Sequence, residues 1–259
     1  MAQFITPPKS IQRTVGRTLV QYQMIRPGDR VLLGLSGGKD SLSLLHILMH
    51  FQRRSPVKFA LAACTIDPQS DGYDPVALRS YVEGLGIPYF VESEPIVDLA
   101  SKHMKGNSYC AFCARMKRGL LYKVARREGY NVLALAQHLD DLAESFLMSV
   151  FHGGKLNTMK AHYVNNAGDV RIIRPLVRVR ERQLADFAQQ AGMPIIPENC
   201  PACFDMPTQR FHYKTLLAQQ ERANPMLFRS LLTAITPLME EGLEQALATE
   251  SPVRETEST

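Results

Sequence analysis

No uninterrupted apolar run in the 259 residues is long enough to span a bilayer, which excludes a transmembrane helix and a membrane role. Met1-Ala2-Gln3-Phe4 lacks the charged start and apolar stretch of a secretory signal, so the expected compartment is the cytoplasm. Five cysteines in such a chain do not build a disulfide scaffold. There is no internal repeat and no low-complexity block. Neither sign of charge dominates: 30 basic against 25 acidic residues leave a net charge of +5. That mild excess is compatible with a nucleic-acid partner but does not establish one. What is present is an ordinary globular hydrophobic fraction of 45%, enough for one α/β domain with small additions.

Strand-like and helix-like stretches alternate along the chain. Apolar runs at 31–35, 59–66, 88–91, 132–136 and 170–173 read as strands. The segments 41–48, 75–85, 115–128, 139–150 and 182–191 read as helices. This alternation predicts an α/β fold with a mainly parallel, doubly wound sheet. An amphipathic helix is expected within residues 1–24, where Ile11, Val15, Leu19 and Val20 recur against Lys9, Arg13 and Arg17. After 191 the character changes: an extended stretch, a cysteine-bearing loop at 198–207, helices at 213–222 and 225–247, and a polar tail. The expected organisation is therefore an N-terminal helical segment (1–25), a nucleotide-binding domain (26–192) and a small C-terminal helical extension (193–259).

Ser36-Gly37-Gly38-Lys39-Asp40-Ser41 lies between the first strand and the following helix. Glycines let the backbone turn tightly and approach phosphate oxygens. The amides that open a helix, with its positive dipole end, form an anion site. Lys39 and the hydroxyls of Ser36 and Ser41 add charge and donors, and Asp40 is a candidate to orient the loop or hold Mg²⁺. This is not a Walker A loop: Leu33 stands where the first glycine would be, and Asp40 follows the lysine. The bland reading is a glycine-rich turn without a ligand. His138-Leu139-Asp140-Asp141 follows the fourth strand and so falls at the same sheet edge. Its carboxylates suit Mg²⁺ or acid–base work, or serve merely as helix caps. Asp67 ends the second strand at that edge too.

Cys110-Ala111-Phe112-Cys113 and Cys200-Pro201-Ala202-Cys203 form two distant pairs. Thiolates in such pairs hold zinc or an iron–sulfur cluster, or form a redox disulfide, and the residues alone leave these open. Cys64, in mid-strand, reads as a core residue. Two basic stretches, Arg115, Lys117, Arg118, Arg126, Arg127 and Arg174, Arg178, Arg180, Arg182, suit a phosphate backbone. Solvated helix faces are the plainer alternative.

The loop matches the SGGxDS signature of the PP-loop, or adenine nucleotide α-hydrolase-like, superfamily, whose members cleave ATP between its α and β phosphates. The match narrows with Cys110-x-x-Cys113, the run Arg115-Met116-Lys117-Arg118-Gly119-Leu120-Leu121-Tyr122, Phe151-His152-Gly153-Gly154-Lys155, Arg174-Pro175-Leu176 and Pro194-Ile195-Ile196-Pro197. Over 26 to 210 the chain resembles the tRNA 2-thiocytidine synthetase (TtcA) family. The resemblance implies ATP-dependent tRNA thiolation: adenylation of a cytidine C2 oxygen, then its replacement by sulfur. ATP, Mg²⁺ and a [4Fe–4S] cluster are the implied cofactors. Ser36, Gly37, Gly38, Lys39, Asp40, Ser41, Asp67, His138 and Asp141 are the implied ATP-binding residues. Cys110, Cys113 and Cys200 are the implied cluster ligands, with Cys203 as rival to Cys200. Asp140 is a candidate catalytic residue at the loop's sheet edge, and Lys117, four residues past Cys113 and so one helical turn on, is the candidate to move protons or steady charge between nucleotide and cluster. The implied partners are tRNA and a sulfur donor such as a cysteine desulfurase, and a homodimer is one option. A PP-loop enzyme for another acceptor, or a non-catalytic module that binds nucleotide and RNA, would share the loop.

Overall fold

The computed structural model describes residues 3–70, 73–103, 109–196 and 209–248. Its strands are β1 (Arg30–Gly34), β2 (Ala60–Asp67), β3 (Tyr89–Ser93), β4 (Val132–Ala134), β5 (His162–Val164) and β6 (Arg171–Ile173). They form one six-stranded sheet in the order β3-β2-β1-β4-β6-β5. Every pairing is parallel except that of β5 with β6. Side chains alternate across a strand, and β1 feeds two cores in this way. Val31 and Leu33 join one apolar cluster, and Leu32 joins the other. Helices cover both faces, so the sheet is doubly wound as expected.

The first face carries α1 (Lys9–Gln21), α2 (Lys39–Arg54), α3 (Val76–Gly84), α6 (Leu139–Gly153) and α7 (Glu181–Gln190). The second carries α4 (Ile96–His103) and α5 (Tyr109–Arg127), whose Leu121, Val124 and Ala125 pack on Leu32, Ala62 and Cys64. In α1, Ile11 and Val15 are buried, as the apolar spacing predicts, but Val20 falls off that face and is 78% exposed. The C-terminal helices are α8 (Gln209–Ala223), α9 (Leu227–Met239) and α10 (Leu243–Ala248). Leu217, Phe228, Ile235 and Met239 from them share a cluster with Val31 and Leu33.

Four features depart from the sequence reading. The helix expected at 225–247 is two helices, separated at Gly242, whose φ is 77°. β5 has three residues and α4 has eight, too short for periodicity to reveal. α5 begins at Tyr109, so Cys110 and Cys113 lie within the helix rather than ahead of it. Among the described residues, no helix is long and apolar enough to cross a membrane.

The chain runs outward from β1 to β2 and β3 on one side and returns to place β4 and β6 on the other. The switch point lies between β1 and β4. Ligands of open α/β sheets bind beyond the carboxyl ends of the strands at such a point.

Candidate nucleotide and cysteine site

At the end of β1 the backbone is held by its neighbour strand. Leu35 N–H donates to Cys64 O at 2.8 Å, and Thr65 Oγ1 donates to Leu35 O at 2.7 Å. The chain then turns at Gly37, whose φ is +85°. A Cβ there would lie 3.1 Å from Leu78 Cδ1 and 3.2 Å from Ile196 Cβ, so both backbone angle and space require glycine. Gly38 caps α2 in an extended conformation, with no side chain accepting from the first amides of the helix. Those amides are an anion site in waiting. Ser41 Oγ accepts from Ser36 N–H at 3.2 Å and donates to Gly38 O at 3.0 Å, which fixes the loop from within. From outside, Tyr73 Oη donates to Ser36 O and Ile196 N–H donates to Gly37 O, each at 3.0 Å.

Charges converge on this loop. Lys39 Nζ lies 3.1 Å from Asp40 Oδ2 and 2.9 Å from Glu181 Oε1. His138 Nε2, from the end of β4, stands 3.7 Å from the same Asp40 oxygen. The other Asp40 oxygen, Oδ1, is buried without a hydrogen-bond partner among the described residues. Burial raises the Asp40 carboxyl above its ordinary range, while His138 and Lys39 hold it down. His138 and Asp141 cap α6 reciprocally: His138 N–H donates to Asp141 Oδ2 at 3.0 Å, and Asp141 N–H donates to His138 Nδ1 at 3.3 Å.

The neighbouring carboxylates differ in their commitments. Asp140 accepts from Arg180 at 3.0 Å and from Glu181 N–H at 2.7 Å, so it ties the start of α7 to the start of α6. Arg210 reaches Asp141 at 2.9 Å and Glu144 at 3.6 Å. Burial, aided by the Asp141 charge, pushes Glu144 up to about 7. Burial opposes ionisation of Glu181 as well, but hydrogen bonds from Lys214 and Lys39 hold it down to about 2. Among the described residues, no three acidic, cysteine or histidine side chains are gathered for a metal ion. A hard Mg²⁺ ion commonly takes one or two carboxylates and completes its shell with phosphates and water.

The structure brings Ser36, Gly37, Gly38, Lys39, Asp40, Ser41, His138 and Asp141 together. Asp67 ends β2 at the same edge, where its carboxylate accepts from Gln69 N–H and Ser93 Oγ at 2.9 and 3.1 Å. Cys110 and Cys113 are one turn apart near the start of α5, the end nearest this edge. Cys113 is half-buried and outside any disulfide. Lys117 follows one turn later, half-buried and without an ion pair among the described residues. Cys200 and Cys203 lie outside the described residues. Cys64 is a core residue as expected, its thiol pushed up to about 12 by burial.

The basic stretches need correction. Arg126 and Arg127 lie at the far end of α5 from the cysteines, where Arg126 pairs with Asp169 and Arg127 reaches Glu92 of β3. Arg174 is buried, donating to Gln137 Oε1 at 2.8 Å. Arg178 packs over the Tyr22 ring, and Arg180 joins Asp140 to Glu221. Of the second stretch only Arg182, 70% exposed, is turned to solvent. Conversely, the sequence reading missed Glu181, Arg210 and Lys214 as site residues, although an Arg210, Lys214, Leu217, Glu221 stripe was visible in the spacing of α8.

A glycine-turned anion loop at the switch point, without the Walker A pattern, defines the PP-loop class of nucleotide-binding proteins. Residues 8–200 match the PP-loop domain family. Over 228 residues the chain is 41% identical to the tRNA-cytidine(32) 2-sulfurtransferase of Geobacter sulfurreducens, covering 88% of this chain and 89% of that one. The same-named protein of Geobacter metallireducens is 40% identical with the same coverage. The chain belongs to the tRNA 2-thiocytidine synthetase (TtcA) family of PP-loop proteins. Among solved structures, the U34-tRNA thiolase NcsA from Methanococcus maripaludis with its [4Fe-4S] cluster superposes with a TM-score of 0.73 at 24% identity. The alignment covers 90% of this chain and 78% of that one, a likeness of fold.

Proposed function

We propose that this chain is an ATP-dependent tRNA sulfurtransferase that converts a cytidine to 2-thiocytidine. The observation that carries the ATP half is the loop. Uncapped helix amides, Lys39 and a buried Asp40 oxygen without a partner among the described residues lie together on this loop. Such a loop suits a triphosphate with its Mg²⁺. The 41% identity with a named tRNA-cytidine(32) 2-sulfurtransferase supports the acceptor.

In this reading the amides after Gly37 and the Lys39 ammonium bind the phosphates. Asp40 Oδ1 and Asp141 would hold Mg²⁺, which supplies charge neutralisation on the phosphates, and His138 orients Asp40. The cytidine C2 oxygen attacks the α-phosphorus, and the α–β bridging oxygen departs with pyrophosphate. The C2 oxygen, a poor leaving group before, now leaves as AMP when sulfur adds at C2. Asp140, engaged by Arg180 and the Glu181 amide, acts as a positioning residue that fixes the α6 and α7 starts around the loop. Lys117 lies one helical turn from Cys113 on the same face. We assign it to proton movement or charge compensation beside the thiolates.

The donor set fits an iron–sulfur group. Cys110 and Cys113 stand three apart on one helix, and soft thiolates are its usual ligands. With one of Cys200 and Cys203 they would hold a [4Fe–4S] cluster, which supplies an iron position able to carry sulfide. A cysteine desulfurase is a fitting sulfur source. For the RNA, Phe151 lies 64% exposed and stacked on Tyr213 at 5.8 Å, a surface suited to an unpaired base.

Two sets of variants test the reading. Lys39→Ala and Asp40→Ala should abolish tRNA-dependent pyrophosphate release while the protein keeps its iron. Unchanged release in both would sink the ATP assignment. Anaerobic protein should carry about four iron and four sulfide per chain. Cys110→Ala and Cys113→Ala should lose them, as should one of Cys200→Ala and Cys203→Ala, with Cys200 the expected ligand. One tightly held zinc and no iron would overturn the cluster.

A further inference from the structure

The sheet-edge site is crowded with carboxylates: Asp40, Asp140, Asp141, Glu144 and Glu181 all lie around the loop. A triphosphate entering there meets charge of its own sign. Of the offsetting cations Lys39, Arg180, Arg210 and Lys214, two come from one helix. In α8, Arg210, Lys214, Leu217 and Glu221 recur every three or four residues and so line one face. Leu217 is buried in the core. Arg210 reaches Asp141 and Glu144, Lys214 reaches Glu181, and Glu221 reaches Arg180.

The most telling contact is a shared atom. Lys214 Nζ and Lys39 Nζ both donate to Glu181 Oε1, at 2.7 and 2.9 Å. The α8 lysine therefore stands beside the loop lysine, with a single carboxylate oxygen between two like charges. The cations of the site differ in freedom. Arg180 is fixed: its side chain is 14% exposed, bonded to Asp140 and Glu221, and laid over the Phe228 ring. Lys214 and Arg210 are 50% and 44% exposed, with long stems that can re-aim.

We propose that α8 is a wall of the nucleotide site, and that Lys214 and Arg210 pass from Glu181 and Asp141 to the phosphate oxygens when ATP binds. Glu181 and Asp141 then act as holding sites that keep the cations beside the loop while it is empty. Asp141, which with Asp40 would hold Mg²⁺, is the carboxylate that Arg210 engages in the empty site, so its use as a metal ligand would release Arg210 toward the phosphates. Lys214 joins Lys39 on the departing pyrophosphate, where charge builds as the α–β bond breaks. The inference rests on the ATP reading above.

The melting and ATP-binding measurements use full-length protein with Mg²⁺ and ATP, and the pyrophosphate assay adds tRNA. Without nucleotide, Lys214→Met and Arg210→Gln should melt within about 2–4 °C of the parent, because exposed ion pairs contribute little. With ATP, the parent should gain stability as a binding-linked rise in Tm. Each variant should lose most of that rise and bind ATP roughly tenfold more weakly. Lys214→Arg should keep it, and serves where Lys214→Met fails to fold. Pyrophosphate release with tRNA should fall in parallel. An ATP-induced rise equal to the parent's in both Lys214→Met and Arg210→Gln would overturn the role of α8. A parent that shows no rise and releases no pyrophosphate would instead overturn the ATP reading, and this proposal with it.

Discussion

Gly37→Ala should separate the strain of the loop from its function, because Gly28 supplies a matched control. Both glycines sit at positive φ, +85° and +83°. A side chain in that region costs about 1–2 kcal/mol at either position. Their surroundings differ. A Cβ at 28 meets nothing within 4 Å, whereas one at 37 comes to 3.1 Å from Leu78 Cδ1 and 3.2 Å from Ile196 Cβ. Leu78 can yield at its tip, but Ile196 meets the new atom with its own branch point and is hydrogen-bonded to Gly37 O. The chain at 37 must therefore shift, moving the amides that follow it. At about 2–4 °C per kcal/mol for a chain of this size, Gly28→Ala should lower Tm by roughly 2–8 °C and Gly37→Ala by somewhat more. ATP affinity should separate them sharply. A hydrogen bond to a charged group contributes about 1.5–3 kcal/mol, so one misplaced amide weakens binding by at least about tenfold in Gly37→Ala and not at all in Gly28→Ala. Calorimetric titration with ATP and Mg²⁺ measures this. Parental affinity in Gly37→Ala, or equal loss in both variants, would refute the reasoning.

Two further outcomes follow from the charges. Arg115 is exposed on α5 just beyond Cys113, whereas Arg126 and Arg127, at the other end of the helix, are held in ion pairs. In filter binding, Arg115→Gln should weaken tRNA affinity and reduce its salt slope by about one, while Arg126→Gln with Arg127→Gln leaves both near the parent's; the reverse ranking would contradict the placement of RNA at the loop edge. The second outcome concerns pH. The folded carboxyl of Glu181 titrates at about 2, below its ordinary 4.5, so its stabilisation is complete above about pH 4.5 and lost as pH falls toward 2. Urea midpoints of the parent and Glu181→Gln should differ most above pH 4.5 and converge toward pH 2, and a gap that widens on acidification would show the sign to be wrong.

The parts of the site that are local in sequence were legible there. The six residues from Ser36 to Ser41 make a turn, an anion site and a helix start through contacts only a few residues apart. Asp40 and His138 were legible for a related reason: in a parallel sheet, residues following adjacent strands must share an edge. Charge runs were read less well. Four arginines between 174 and 182 look alike in sequence, yet Arg174 is buried, Arg178 lies over Tyr22 and Arg180 is locked between Asp140 and Glu221. Arg115 and Arg127 share a helix, but its length sets them toward its opposite ends. Glu181 and Arg210 escaped because their decisive partners are distant: Lys39 lies 142 residues from Glu181, and Asp141 lies 69 from Arg210. Only the packing of α7 and α8 against the loop makes those pairs.

The most direct measurement is mass spectrometry of tRNA nucleosides from cells lacking this chain, and from the same cells given back either the parent or Asp40→Ala. The account predicts that 2-thiocytidine disappears with the chain, returns with the parent and stays absent with Asp40→Ala. Undiminished 2-thiocytidine in cells lacking the chain, or its full return with Asp40→Ala, would contradict the account.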